Sequence, residues 1–282
     1  MNNHNRVWFI SLFLACIVFI ASACDSNSAK GLSGVSSGSG ISSADTLSYE
    51  MQRIEKHDGN MKAAANDNEV YCKCSYPVFS GGKPARLVNG TLQSWIADST
   101  AIAPGNGYTG DRSVGKLAAN FLEEYERAKK ELGNIPGYQF DLNGSVLMNR
   151  KGVLTVSLAT ESYTGGAHGN YGTRFFVFDA RSGKRLAVRS LFKAGFEDRL
   201  NRLIDSRYRQ MKGLSQTDRL DSENGQLFEN FIRFNDNVAL TSEGVTFFYN
   251  IYEIAAYVFG PAEITLSYSD VADILKPEFM GL

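Results

Sequence analysis

Hydrophobic residues recur along this chain in two rhythms, and the switches between them mark its elements. From Ser113 to Leu132 the residues Val114, Leu117, Ala118, Phe121, Tyr125, Ala128 and Leu132 fall on one stripe, with Glu123, Glu124, Lys129 and Lys130 outside it. That spacing predicts an amphipathic helix, stopped by Gly133 and Pro136. Phe196 to Met211 repeats it, with Leu200, Leu203, Ile204 and Tyr208 inward and Arg199, Arg202 and Arg209 outward. Gly90 to Asp98 reads as a shorter helix. Strands are expected at Leu47 to Glu55 and Glu69 to Phe79, joined by a polar loop with Asp58-Gly59-Asn60, then at Tyr138 to Asn149, Gly152 to Tyr163 and Tyr171 to Ala180. A closing set covers Phe231 to Tyr249 and Ala262 to Ser267, after which Ser269-Asp270 caps a final short helix to about Lys276. There is no internal repeat, and strands and helices do not alternate regularly. The pattern therefore predicts an α+β fold rather than a doubly wound sheet.

The N-terminus has a different pattern. A short polar start with Arg6 leads into an apolar run, Val7 to Ile20, and then Ala21-Ser22-Ala23 before Cys24. The run is about fourteen residues, short of the roughly twenty that span a bilayer. It reads as a secretory leader, residues 1–23, with a small-residue cleavage site. A cysteine in that place resembles a bacterial lipobox, which makes Cys24 the expected lipidation site. The alternative is an ordinary leader followed by an incidental cysteine. Acylation would anchor the chain to an envelope membrane without spanning it. Residues 24–45 are then a linker, almost wholly Ser, Gly, Ala and other small or polar residues, which cannot bury enough apolar area to order itself.

Charge removes one class of partner. Lys plus Arg is 29 against Asp plus Glu 30, a balance that argues against a nucleic-acid surface. Cysteine chemistry is sparse. Cys72 and Cys74 stand two apart in a predicted strand and so share a face, which favours buried structural thiols over a redox pair. Two thiols with His57 and His168 do not make a metal site, and no cofactor is implied.

The run with most chemical interest is Tyr163-Thr164-Gly165-Gly166-Ala167-His168-Gly169-Asn170-Tyr171. Its glycines allow close backbone approach to a ligand, and its histidine is a base, ligand or hydrogen-bond partner. It equally fits a Gly-rich connection whose histidine fixes a turn. Ser157, Ser162 and several acids are present, but no nucleophile and orienting acid can be assigned to His168, so no catalytic constellation emerges.

Four pieces of sequence carry a family resemblance: Tyr76-Pro77-Val78-Phe79; the Tyr163 to Asn170 run; Phe178 to Lys184 with Leu191-Phe192; and Phe247-Phe248-Tyr249-Asn250-Ile251-Tyr252-Glu253-Ile254-Ala255-Ala256-Tyr257-Val258-Phe259-Gly260-Pro261. Together they resemble the extracellular domain of the RsiV-like family, known for a lysozyme-binding anti-sigma factor, and the domain that precedes the catalytic unit of PdaC-type peptidoglycan deacetylases. Ala256 and Ser267 stand where proline is common in relatives.

The resemblance implies an α+β module in two lobes, 46–180 and 181–282, with mostly antiparallel sheets and two main amphipathic helices. It further implies a non-catalytic binding protein of the bacterial cell envelope. The implied partners are the membrane, through the lipid, and a lysozyme-like protein or peptidoglycan. The candidate ligand-binding residues come from the loop around His168 and the aromatic segment Tyr249 to Tyr257, because aromatics supply rigid contact area: Tyr163, Gly165, Gly166, His168, Asn170, Tyr252, Glu253 and Tyr257. Core packing beside the loop is the other reading of those tyrosines. The competing function is an envelope-polymer hydrolase with His168 as acid or base and Glu253 as its partner.

Overall fold

The computed structural model describes residues 45–58, 69–105 and 108–282. The leader, Cys24 and nearly all of the linker lie outside them, as does most of the polar loop after Asp58. Ile41–Leu282 forms one compact unit. Among the described residues no helix is long and apolar enough to cross a membrane.

The fold is α+β, with two sheets, as the sequence pattern predicts. The larger sheet runs in chain order: β1 (Ser48–His57), β2 (Tyr71–Ser80), β3 (Gln139–Arg150), β4 (Val153–Tyr163), β5 (Asn170–Asp179) and β6 (Arg185–Leu186). Every pairing is antiparallel except β2 with β3, because two helices intervene there. These are α1 (Gly82–Ser99) and α2 (Val114–Leu132). They cover one face of the sheet, and their apolar stripes pack on Cys72, Cys74, Phe140, Leu142, Leu154, Val156, Leu158, Phe176 and Phe178. Cys72 and Cys74 share that face as free, buried thiols, with Sγ atoms 3.9 Å apart.

After β6 come α3 (Val188–Leu191) and α4 (Glu197–Lys212), then the second sheet of β7 (Val238–Leu240), β8 (Gly244–Tyr249) and β9 (Ala262–Ser267), all antiparallel. Its core gathers Leu200, Ile204, Tyr208, Phe247 and Ile264, and also takes Met148, Val153 and Val177 from the outer face of the larger sheet. One end of β4 and β5 is therefore buried on both sides, which explains their continuous apolar runs. A β-bulge between Val146 and Met148 shifts the register of β3 and so carries Met148 from the helix-covered face to the outer one.

Three expectations need correction. The first helix is 18 residues long and starts at Gly82, not Gly90. Pro84 obscures this in the sequence, yet it is tolerated because first-turn N–H groups have no intrahelical acceptor. Strand structure between Phe231 and Tyr249 is confined to β7 and β8. The helix expected from Ser269 to about Lys276 does not form: that segment is a set of turns before a single 3-10 turn at Pro277–Phe279, with the Asp270 carboxylate accepting from the Ser267 amide at 2.9 Å.

Candidate functional site

The second sheet covers only part of the larger sheet's outer face. Alternation along the strands places Tyr71 and Lys73 of β2, Gln139 and Asp141 of β3, Glu161 and Tyr163 of β4, and Tyr171 of β5 on that face. Register arranges them in cross-strand rows. Lys73 is opposite Asp141, Asp141 opposite Glu161, and Glu161 opposite Tyr171; in the next row Tyr71 is opposite Gln139 and Gln139 opposite Tyr163.

A segment from the far end of the chain reaches this area. After β8 the backbone turns through Asn250–Glu253, closed by the Glu253 amide donating to the Asn250 carbonyl at 3.1 Å. Tyr252 has φ 62°, a left-handed conformation that strains a non-glycine residue, and its ring is exposed. The Glu253 carboxylate accepts from the Asn250 amide at 2.8 Å and from Asn235 Nδ2 at 2.6 Å, so it braces this turn.

Two asparagines fasten the segment to β5. The Asn250 side chain accepts from the Thr173 amide at 2.8 Å and donates to the Thr173 carbonyl at 3.2 Å. Asn237 accepts from the Phe175 amide and donates to the same Thr173 carbonyl, both at 2.8 Å. These amide side chains satisfy the edge of β5 before β6 takes over at Val177.

So anchored, Tyr257 lies on the Gly-rich loop. Its ring stacks on His168 with centroids 4.0 Å apart, and meets Tyr171 and Tyr252 at 5.7 Å each. Its hydroxyl donates to the Gly169 carbonyl at 3.1 Å. His168 Nδ1 donates to the same carbonyl at 2.8 Å, which leaves Nε2 directed away from the backbone contact on an exposed ring. Tyr163 donates to the Gly166 carbonyl at 3.1 Å. Gly165 and Gly166 adopt φ 95° and 104°, values that need glycine.

Beside this stack is a cleft of about 210 Å³, lined by Tyr71, Gln139, Asp141, Glu161, Ser162, Tyr163, Gly169, Asn170, Tyr171 and Tyr257. Of the sequence-derived candidates, Tyr163, Asn170 and Tyr257 line it, and His168 and Tyr252 flank Tyr257. Gly165 and Gly166 shape the loop, and Glu253 bonds to Asn250 and Asn235 rather than to His168. Sequence reasoning missed Tyr71, Asp141 and Glu161. Tyr71 donates to Asp141 Oδ2 at 2.8 Å, and burial together with that carboxylate pushes its phenol well above the usual tyrosine range. Among the described residues no group of three or more His, Cys, Asp or Glu is arranged to hold a metal ion.

Comparison with known proteins bears on the whole described unit. No curated protein matches the sequence. Two solved structures share the fold. A DUF3298-family member from Bacteroides fragilis NCTC 9343 aligns with TM-score 0.63 at 21% identity, covering 83% of this chain and 96% of its own. A DUF3298-family protein from Pseudomonas aeruginosa PAO1 aligns with TM-score 0.60 at 20% identity, covering 84% and 97%. At the level of sequence, residues 64–171 match the family described as Deacetylase PdaC, and residues 189–269 match the one described as Protein of unknown function (DUF3298).

Proposed function

We propose that this chain is a lipid-anchored binding protein of the bacterial envelope, of the RsiV-like type, which holds an envelope ligand at the Tyr257 cleft and does no chemistry on it. The observation that carries this reading is the meeting of two distant segments: the Gly-rich loop and the 250–257 turn close one side of a tyrosine-lined cleft. Rigid aromatic side chains and peptide groups are what a recognition surface uses. The hydrogen bonding favours binding over hydrolysis. Glu253 is committed to the turn, and His168 to the Gly169 carbonyl, so neither orients the other as an acid–base pair would. The ligands the reading calls for are a lysozyme-type protein or peptidoglycan. Cys24, after cleavage of the leader, supplies the anchor.

The test uses the full-length chain in detergent, measured against peptidoglycan sacculi and against a lysozyme, with product release followed in parallel. Saturable binding of either, without products, is expected; Tyr257→Ala should weaken it on the order of tenfold or more. Products that disappear in His168→Ala would replace this reading with the hydrolase. Failure to bind both would overturn the binding reading. Mass spectrometry of the mature N-terminus checks the anchor, and an unacylated Cys24 would remove it.

A further inference from the structure

We propose that the cleft over β3, β4 and β5 is a site for a primary ammonium group, held between the Asp141 and Glu161 carboxylates and walled by tyrosines. This rests on the reading of the chain as a binder of envelope ligands and specifies the chemistry of what it binds.

The cavity, its walls and its charge point the same way. Asp141 and Glu161 are direct partners on adjacent antiparallel strands and both line the cleft. Like charges at such positions destabilise a sheet unless something neutralises them. Among the described residues no cation forms an ion pair with either carboxylate. Lys73, the cation next in the row, lies over the Tyr71 ring at 4.2 Å and reaches Glu55 Oε1 at 4.0 Å; it makes no ion pair with Asp141. Among the described residues, the Asp141 carboxylate accepts only the Tyr71 hydroxyl. Among the described residues, that of Glu161 accepts no hydrogen bond and has no ion pair. Acceptor positions on both carboxylates are therefore open to the cleft.

The walls suit a cation as well. Tyr71, Tyr163, Tyr171 and Tyr257 line a space of about 210 Å³, and aromatic faces attract an ammonium group. Gln139, on the same face as the two carboxylates, adds a neutral acceptor. The raised Tyr71 phenol reports the same negative surroundings, since Asp141, Glu69 and Glu161 all contribute to it after burial. An ammonium group has three hydrogens to share among acceptors on different strands. Among the described residues no third His, Cys, Asp or Glu joins the two carboxylates in a metal-holding group. The amine can belong to a sugar whose amino group is free or to the side chain of a diamino acid in a peptide, and the experiment separates these.

The full-length chain in detergent is titrated by ligand-observed NMR with two pairs of probes: glucosamine against N-acetylglucosamine, and Nα-acetyl-lysine against its doubly acetylated form. Binding of at least one free amine, with its acetylated counterpart weaker by about tenfold or more, is expected. Asp141→Asn and Glu161→Gln should each weaken the amine by about tenfold, with the melting temperature of ligand-free Glu161→Gln no lower than wild type, since the substitution relieves the like-charge pair. A response to glucosamine alone assigns an amino sugar, and to the lysine probe alone a peptide amine. Equal binding of acetylated probes, no binding of any probe, or undiminished affinity in both variants overturns the inference. Sacculus and lysozyme binding are read on the same variants. If that binding persists while no amine binds, the ammonium site falls and the envelope-binding role stands. If amines bind but sacculi and lysozyme do not, the reverse holds.

Discussion

Replacing Asn237 by alanine tests how the segment before β7 is fastened to β5. Asn237 is 2% exposed and sits between the sheets, where its side chain accepts from the Phe175 amide and donates to the Thr173 carbonyl. Alanine removes both bonds, but not with equal cost. The Thr173 carbonyl keeps a donor in Asn250 Nδ2 at 3.2 Å, so that loss is an ordinary hydrogen bond, about 0.5–1 kcal/mol. The Phe175 amide has no such reserve. It lies in a strand whose residue is 6% exposed, and leaving a buried donor unpaired costs about 1–3 kcal/mol. The sum is about 1.5–4 kcal/mol, a fall in melting temperature on the order of 3–16 °C for a chain of this size. Urea denaturation followed by circular dichroism measures it, with exposed Asn224→Ala as a control that should move stability by less than about 0.5 kcal/mol. A change in Asn237→Ala no larger than the control's would refute the view that side-chain amides substitute for a neighbouring strand here.

Two further outcomes follow from the geometry. Gly183→Ala should destabilise by about 2 kcal/mol or more, since a Cβ there would lie 2.7 Å from Pro84 Cα with φ at 72°; wild-type stability in that variant would show that α1 can move away from the Asp179–Lys184 turn. Alkaline pH should weaken the fold. Burial pushes the phenols of Tyr76, Tyr208 and Tyr268 up to about 12 from an ordinary 10.0. Between those values the native chain holds protons that the unfolded chain has released, so stability falls as pH rises through that window. Phenolate absorbance against pH checks this, and a single wave at the ordinary value with constant stability would contradict it.

The helices α2 and α4 and the strands β2 to β5 were legible because their periodicity reflects which side faces a core. Helix α1 was half legible: Val88, Leu92 and Ile96 carry its buried stripe, but two glycines and Pro84 hide its first turns. The segment after Ser269 has the residues of a helix start and none of the length, and the Ser267–Asp270 turn claims the capping carboxylate instead. In the site, His168 and Tyr257 stood out because glycine and aromatic runs are conspicuous. Their 4.0 Å stack depends on tertiary structure between residues far apart in sequence and leaves no local signal. Asp141 and Glu161 were invisible for a related reason. Each looks like an ordinary outward residue of its own strand, and only the register of β3 against β4 makes them neighbours.

The dependence of β5 on Asn237 and Asn250 also has a consequence for biogenesis. While the chain emerges, the rim of β5 from Thr173 to Phe175 has bare amides and carbonyls until more than sixty further residues have been made. A nascent or clipped polypeptide ending before position 237 would present a sticky border able to recruit a strand from another molecule. Cells that make this protein therefore have reason to shield it during synthesis, and C-terminal truncations should clump rather than persist as soluble fragments.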